Sequence, residues 1–318
     1  MDLRAQFKRV DLEKYGPLLA LVVLFVLSAV SSPYFLQAQN ILNILRQVSY
    51  TGIIGLGMTF VIISGGIDLS VGSMVAFVGG LAILVLNRFG GGLPAILLAI
   101  LVALALGAAA GALNGFIITK GRVAPFIVTL GTQAVFRSLT LQISNAGEFR
   151  SESSIYPNLG MGSVLGIPVP VWIFLGLAVV FTVLLTRTRY GRYVCAVGSN
   201  ERVAKYSAIG VDGVKFFSYV IVGLTVAISA VLLSSRLNSI SSTNAGVNFD
   251  LDAISAVIIG GTPMSGGTGF IAGTVMGAII LGIVNNMLNM LGVSPYLQGT
   301  VKGLVIIGAV LIQRRAKK

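Results

Sequence analysis

Residues 95–112 read "AILLAILVALALGAAAGA", a stretch in which every residue is glycine or carries an apolar side chain. These eighteen residues reach the length of ~17–25 residues that a helix needs to cross a bilayer. A strand of a membrane β-barrel would instead alternate polar and apolar side chains. The stretch therefore predicts a transmembrane helix and excludes a barrel.

The composition of the whole chain agrees with this stretch. Of the 318 residues, 55% are hydrophobic and 10% are charged, and the mean hydropathy is +0.94. A water-soluble domain could not cover so much apolar surface. We therefore predict an all-α polytopic membrane protein with one domain, residues 1–318, and about ten (eight to ten) transmembrane helices. The supporting apolar segments are 17–32, 47–64, 72–86, 94–118, 124–143, 170–186, 216–235, 253–261, 270–290 and 297–312.

The positive charges indicate which loops face the cytoplasm. Sixteen of the 22 Lys and Arg residues lie in four segments, namely 1–14, 120–122, 187–215 and 313–318. Basic residues in short loops mark the cytoplasmic side of a membrane protein, and their placement in such loops argues against nucleic-acid binding. We therefore expect both termini, residues 1–16 and 313–318, to be cytoplasmic. The expected outer loops carry only isolated arginines, which are Arg46, Arg88, Arg150 and Arg236.

The N-terminal segment allows an alternative. Residues 1–32 combine a basic start, an apolar core and small residues near 28–31, as a signal peptide does. The start is longer and more acidic than is usual for a signal peptide, so a retained first helix is favoured.

Several kinds of chemistry are excluded by residues that the chain lacks. Cys195 is the single cysteine and there is no histidine, so intrachain disulfides, zinc sites and histidine-based acid–base catalysis are not available. No Gly-x4-Gly-Lys-Ser/Thr phosphate loop occurs either. We therefore expect no enzymatic activity, no cofactor and no metal.

A carboxylate interrupts the apolar sequence at residues 63–74, "ISGGIDLSVGSM". The adjacent Gly65 and Gly66 permit a helix break, and polar neighbours can satisfy the freed backbone. Asp68 either caps the helix expected to start near Leu69 or lines a path through the membrane, because an unpaired carboxylate cannot face lipid. Both roles stay open at this point.

A second segment resembles this break. Residues 260–267 share the pattern Gly-Gly-x-x-Leu/Met-Ser-x-Gly with residues 65–72. The match indicates either an internal duplication of the kind found in transporters or a coincidence of glycine-rich composition. The apolar segment 253–261 is about half as long as a membrane span, so we predict broken or re-entrant segments near 64–72 and 253–267.

Two further patterns concern contacts between elements. Gly107, Gly111 and Gly115 place bare backbone on one helical face, where another helix can pack closely. In the basic loop 187–215, Ser199 or Asn200 can cap a short helix over 201–208, which Gly210 can end. Such a helix suits docking into a groove of a cytoplasmic partner, whereas the charges alone would fit a solvated loop.

With these residues in place, the chain resembles the permease subunits of ribose-type sugar ABC transporters over residues 40–312. The motifs that carry the resemblance are "GGIDLSVGS" at 65–73, "RYGRYVCAVGSNERVAKYSAIGV" at 189–211 and "LDAISAVIIGGTPMSGGTGFIAGTVMGA" at 251–278. The family commonly has Ala-Ala where this chain has Val203-Ala204, and Gly where it has Ala208.

The resemblance implies a set of partners in a bacterial inner membrane. These are a second permease subunit, identical or paralogous, two cytoplasmic ATPase subunits and a soluble sugar-binding protein outside the membrane. It also implies that the short helix couples the permease to the ATPase. The coupling residues are then Asn200, Glu201, Arg202, Val203, Ala204, Lys205, Ile209 and Gly210.

A neutral, hydroxyl-rich solute fits the polar residues of the apolar segments. The candidate path residues are Gln47, Asp68, Ser70, Asn114, Thr262, Ser265, Asn285, Asn286 and Asn289. A permease for branched-chain amino acids or nucleosides is the alternative within the class. An ion-coupled secondary transporter using Asp68 would leave the coupling-type loop without a role, and an intramembrane enzyme would need a second catalytic group near Asp68.

Overall fold

The computed structural model describes residues 12–294, together with residues 297, 299–301 and 303–304. The helices in this part of the chain are α1 (Leu12–Ser31), α2 (Ala38–Ile63), α3 (Val71–Arg88), α4 (Leu93–Lys120), α5 (Pro125–Ser144), α6 (Asn158–Met161), α7 (Val169–Arg187), α8 (Arg189–Ser199), α9 (Glu201–Tyr206), α10 (Val211–Leu237), α11 (Phe249–Ile259) and α12 (Ile271–Met290). The strands are β1 (Glu148–Arg150), β2 (Ser163–Val164), β3 (Ile167–Pro168) and β4 (Ser239–Ser241).

Six helices of the described residues are long and apolar enough to cross a membrane, namely α2, α3, α4, α7, α10 and α12. This confirms the prediction of an all-α polytopic membrane protein. α1, α5 and α11 occupy three more of the predicted segments. The last predicted segment, 297–312, and the terminal segments 1–11 and 313–318 lie wholly or largely outside the described residues, so the count of ten stays a prediction.

The glycine spacing on α4 lets this helix pack closely against α10. A Cβ atom at Gly107 would overlap the carbonyl oxygen of Gly223, and a Cβ atom at Gly111 would overlap that of Tyr219. Gly115 continues the contact one turn later. Small residues of this kind allow two backbones to approach within a membrane. The predicted packing role of the three glycines is therefore confirmed.

A small antiparallel sheet packs against the middle of α3. In the pairing of β1 with β4, Phe149 lies opposite Ile240. The two side chains rest on Gly80 and Gly79 of α3, and both are buried. The sheet thereby joins the two ends of the segment that contains α6 to α10, because β1 precedes this segment and β4 follows it.

The short helix α11 is positioned by the segment that precedes it. The 11 residues of α11 span about 16 Å, roughly half the hydrocarbon thickness of a bilayer. After β4 the chain turns back into the protein, and Gly246 lies directly against Gly72 at the start of α3. The expected short helix is thus present, although it begins at Phe249, four residues before the predicted segment.

Candidate functional site: two helix breaks and the helices α8 and α9

The first helix break is closed by polar contacts around Asp68, between the end of α2 at Ile63 and the start of α3 at Val71. Asp68 Oδ1 accepts hydrogen bonds from the Ser70 backbone N–H at 2.9 Å and from the Ser70 hydroxyl at 2.6 Å. Asn114 of α4 donates to Ser70 Oγ at 2.9 Å and to Asp68 Oδ2 at 3.4 Å. All three side chains are completely buried.

This geometry makes Asp68 a structural group in the observed conformation. Its carboxylate stabilises the turn before α3, because it bonds to Ser70, the residue that directly precedes the first helical residue. The helix therefore begins two residues later than the sequence suggested. Since Asp68, Ser70 and Asn114 have no exposed surface, none of them lines an open path here.

The helices before both breaks end with the same type of cap. Gly65 and Gly261 have φ angles of +81° and +94°, a left-handed conformation that glycine adopts without strain. In each case the next residue returns its N–H to the carbonyl group five residues earlier, which is the Schellman arrangement. The structure thus pairs Gly65 with Gly261, whereas the sequence alignment paired it with Gly260. The common cap accounts for one glycine of each pair, and the internal duplication stays a prediction.

The two breaks meet α8 at the Ile63 carbonyl group. The Gly267 N–H donates to Ile63 O at 2.9 Å. Gly198, near the end of α8, lies so close to the same oxygen that a Cβ atom would overlap it. Ser199 Oγ also donates to the Gly267 carbonyl group at 3.5 Å. A displacement of α8 would therefore act on both breaks at once.

The basic segment 187–215 is mostly helical, because α8 and α9 fill most of it. Only the second of these helices was expected from the sequence. Asn200 lies between them, and its Oδ1 accepts hydrogen bonds from the N–H groups of Arg202 at 3.0 Å and Val203 at 3.1 Å. The predicted N-cap is therefore present at Asn200. The helix ends at Tyr206, two residues earlier than predicted.

Glu201 is held by two lysines of the same chain. Its carboxylate lies 2.6 Å from Lys215 Nζ on α10 and 3.0 Å from Lys205 Nζ, one turn along α9. The hydrogen bonds from Lys215 and Lys205 lower the pKa of Glu201 below its ordinary value. The charged carboxylate consequently attaches α9 to the start of α10.

The side chains of α9 divide into an inner and an outer set. Ala204 is only 3% exposed and packs within this chain, so the expectation that it is available to a partner is wrong. Val203 and Tyr206 are 57% and 91% exposed and form an apolar surface of α9. Of the remaining coupling candidates, Ile209 is half-buried, whereas Asn200, Arg202, Lys205 and Gly210 are exposed.

The remaining candidate path residues do not form one cluster. Asn286 of α12 exchanges hydrogen bonds with Asn40 of α2 at 2.8 and 3.2 Å. Near this pair in sequence, Asn285 Oδ1 is buried without a partner among the described residues, and Asn289 is exposed. Gln47 and Ser265 are exposed and Thr262 is buried. Within the described ranges, no three His, Cys, Asp or Glu side chains lie together as a metal ion would need.

Comparison with known proteins identifies the family. Residues 40–310 match the family described as "Branched-chain amino acid transport system / permease component". The chain belongs to this permease family. It is 44% identical to a ribose import permease protein of Bacillus subtilis, over 99% of this chain and 98% of the relative. The ribose import permease protein of Escherichia coli strain K12 is 41% identical, over 98% and 97%.

A third relative widens the group. The D-allose transport system permease protein of Escherichia coli strain K12 is 38% identical, over 96% of this chain and 93% of the relative. No solved structure matches the chain. These relatives confirm the resemblance to ribose-type permeases that the sequence motifs indicated. The chain is accordingly a multi-pass transport subunit of the membrane and not itself an enzyme.

Arg137 on α5 was not among the residues that the sequence of this permease singled out. Its guanidinium group donates to the carbonyl oxygens of Ser242 at 2.7 Å and Ala245 at 2.8 Å. These bonds satisfy backbone groups of the segment that leads into α11, as buried irregular backbone in a membrane requires. The available signal was a single arginine within the otherwise uncharged segment 124–143.

Proposed function

We propose that this permease is the membrane-spanning subunit of an ATP-driven importer for a sugar or polyol. A soluble binding protein delivers the sugar outside, and separate ATPase subunits hydrolyse ATP in the cytoplasm. A second permease subunit, identical or paralogous, completes the path, and both termini are cytoplasmic in a bacterial inner membrane. The relatives named for ribose and D-allose support a sugar as the cargo.

The exposed surface of α9 is the observation that carries this proposal. Val203 and Tyr206 are apolar or aromatic, yet they project from a basic segment that the charge distribution assigns to the cytoplasm. A helix of six residues is not stable alone, so its attachment through Glu201 and Lys215 is needed to present them. A short, preorganised helix with two such side chains fits a groove of an ATPase subunit.

The contacts behind α9 connect this surface with the membrane path. α8 precedes α9 directly, and its last residues, Gly198 and Ser199, contact Ile63 and Gly267 at the two helix breaks. A movement of the ATPase against α9 is thereby transmitted to the break between α2 and α3 and to the break between α11 and α12. The buried Asp68 cluster forms part of the first of these segments.

Two rival functions have weaker support. The family description favours a carrier of branched-chain amino acids, but the relatives at 38–44% identity are named for sugars. An ion-coupled transporter would need Asp68 to exchange an ion with water. Its carboxylate is instead fully buried and bonded to Ser70 and Asn114.

A Tyr206→Ala variant tests the coupling role. A tyrosine anchor at a protein interface commonly contributes enough to lower activity about tenfold or more when it is truncated. We expect normal insertion into the membrane and about a tenfold loss of ATP hydrolysis stimulated by the loaded binding protein. The assay uses the assembled transporter in proteoliposomes. Tyr34→Ala is the matched control, because Tyr34 is 63% exposed in the loop between α1 and α2, at the opposite end of α2.

If Tyr206→Ala hydrolyses ATP and transports sugar at the rate of the unmodified protein, α9 is only a solvated connection and the coupling role is lost. Glu201 and Ala204 are less suitable positions for this test. Substitutions there would break the ion pair with Lys215 or disturb buried packing within this chain.

A further inference from the structure

We propose that the outer half of α2 carries a binding site for sugar hydroxyl groups at the mouth of the path. The site consists of Asn43, Arg46, Gln47 and Tyr50 of α2 and Arg236 of α10, and we call these residues the mouth cluster. The inference rests on the proposed function, since it assigns a place where the imported sugar is held after the binding protein releases it.

The exposure of two amide side chains is the first observation. Asn43 and Gln47 are exposed and lie in the first three turns of α2, at the edge of the apolar segment 47–64. Polar side chains at this level face protein or water rather than the hydrocarbon. This surface of α2 therefore borders either a water-filled space or the second permease subunit.

The inner half of α2 is buried, whereas its outer half is partly exposed. Ile54 and Met58 follow Gln47 at intervals of seven and eleven residues, on the same face of α2, and both are completely buried. α11 packs against α2 in this region, where a Cβ atom at Gly55 would contact Ala256. The end of α11 that follows β4 is Phe249. Asn43 and Gln47 remain exposed, Arg46 and Arg236 are half-buried, and Tyr50 is buried.

The two arginines are the second observation. Arg46 and Arg236 form no ion pair with any described residue. The Arg46 Nε atom is buried and has no partner in the described part of the chain, while its Nη1 contacts Asn43 Oδ1 at 3.4 Å. The guanidinium carbon of Arg236 lies 5.6 Å from the ring centre of Tyr50. The cluster therefore offers two guanidinium groups that retain hydrogen-bonding capacity.

The chemistry of these groups indicates the ligand. Guanidinium and amide groups are planar and present paired donors and acceptors, which suit neighbouring hydroxyl groups of a sugar. An acidic patch of the binding protein would also suit the arginines. The Arg46 Nε atom and the Tyr50 hydroxyl group, however, are buried, too deep for a flat protein surface to reach. A small polyhydroxylated solute fits this depth.

Variants of the two arginines test the inference in the assembled transporter. Arg46→Gln and Arg236→Gln keep a polar side chain and remove the guanidinium group. With ribose-loaded binding protein, we expect the sugar moved per ATP hydrolysed to fall about tenfold, the size expected when hydrogen bonds from a charged donor are lost. The half-saturating concentration of binding protein should not change. Arg88→Gln is the matched control, because Arg88 is an exposed arginine outside the cluster.

Each result decides the inference. An unchanged ratio of sugar moved to ATP hydrolysed in both variants overturns the inference. If the half-saturating concentration of binding protein rises at the same time in a salt-dependent way, the cluster is a docking surface for the binding protein instead. If the variants do not assemble, Gln47→Cys in a Cys195→Ser background replaces them. Modification from outside should then lower transport, with protection by ribose, and full transport after modification overturns the inference. If the unmodified transporter moves no sugar, the proposed function itself has failed.

Discussion

Ala208 adopts a backbone conformation that is unfavourable for a residue with a Cβ atom. Its φ angle is +59°, and it lies two residues after the end of α9 at Tyr206. The N–H groups of Ala208 and Ile209 return to the carbonyl oxygens of Lys205 and Ala204, which is the Schellman cap that usually contains glycine here. The resemblance to ribose-type permeases already indicated glycine at this position. The family pattern therefore has a physical cause, which the structure supplies.

An Ala208→Gly variant should stabilise the end of α9. The left-handed conformation costs alanine about 1 to 2 kcal/mol, so the Ile209 amide should exchange with solvent about fivefold more slowly. Hydrogen exchange of the purified permease measures this change. Ala196→Gly lies within α8 and is the matched control. It should make the amide groups of α8 exchange faster, because glycine weakens a helix interior. Faster exchange at Ile209 in Ala208→Gly would contradict the assigned cap.

Glycine spacing predicts that a helix packs closely against another helix, but it does not predict which one. The four-residue spacing of Gly107, Gly111 and Gly115 predicted a close helix contact, and the structure shows it, with α10 as the neighbour. The identity of the neighbour was not predictable, since α10 lies about a hundred residues later in the chain. Helix α8 was missed because its arginines and glycines are typical of a basic loop. Its position follows only from its contacts with Ile63 and Gly267.

A Gly111→Ala variant tests the importance of the α4–α10 contact. The added Cβ atom would overlap the Tyr219 carbonyl group, so the helices must separate at a cost of about 1 to 3 kcal/mol. The midpoint of thermal unfolding in detergent should fall. Gly176→Ala on α7 carries the same change where no atom lies within 4 Å, and it should leave the midpoint unchanged or raise it. Equal midpoints for both variants would mean that the close contact is not required.

In the whole molecule, the sequence predicted which residues form a site better than it predicted which of them lie together. Asp68, Ser70 and Asn114 were all candidates and do form one cluster. The arginines of the mouth cluster were seen only as isolated charges, because their common location depends on the packing of α2 against α10. Long-range packing of this kind leaves no local sequence pattern. The orientation of the molecule, in contrast, depends on charge counts alone and can be tested without knowledge of the packing.

The orientation predicts opposite accessibility for two engineered cysteines. Ser154 and Ser207 are both exposed, whereas Ser153 is buried and bonded to Gly91 and would be a poor reporter. In a Cys195→Ser background without the ATPase subunits, a membrane-impermeant thiol reagent should label Ser154→Cys in intact cells and should label Ser207→Cys only after permeabilisation. The reason is that basic segments are retained on the cytoplasmic side during insertion. Labelling of Ser207→Cys in intact cells would place α9 outside, where no ATPase could reach it, and the coupling role would have to be abandoned together with the topology.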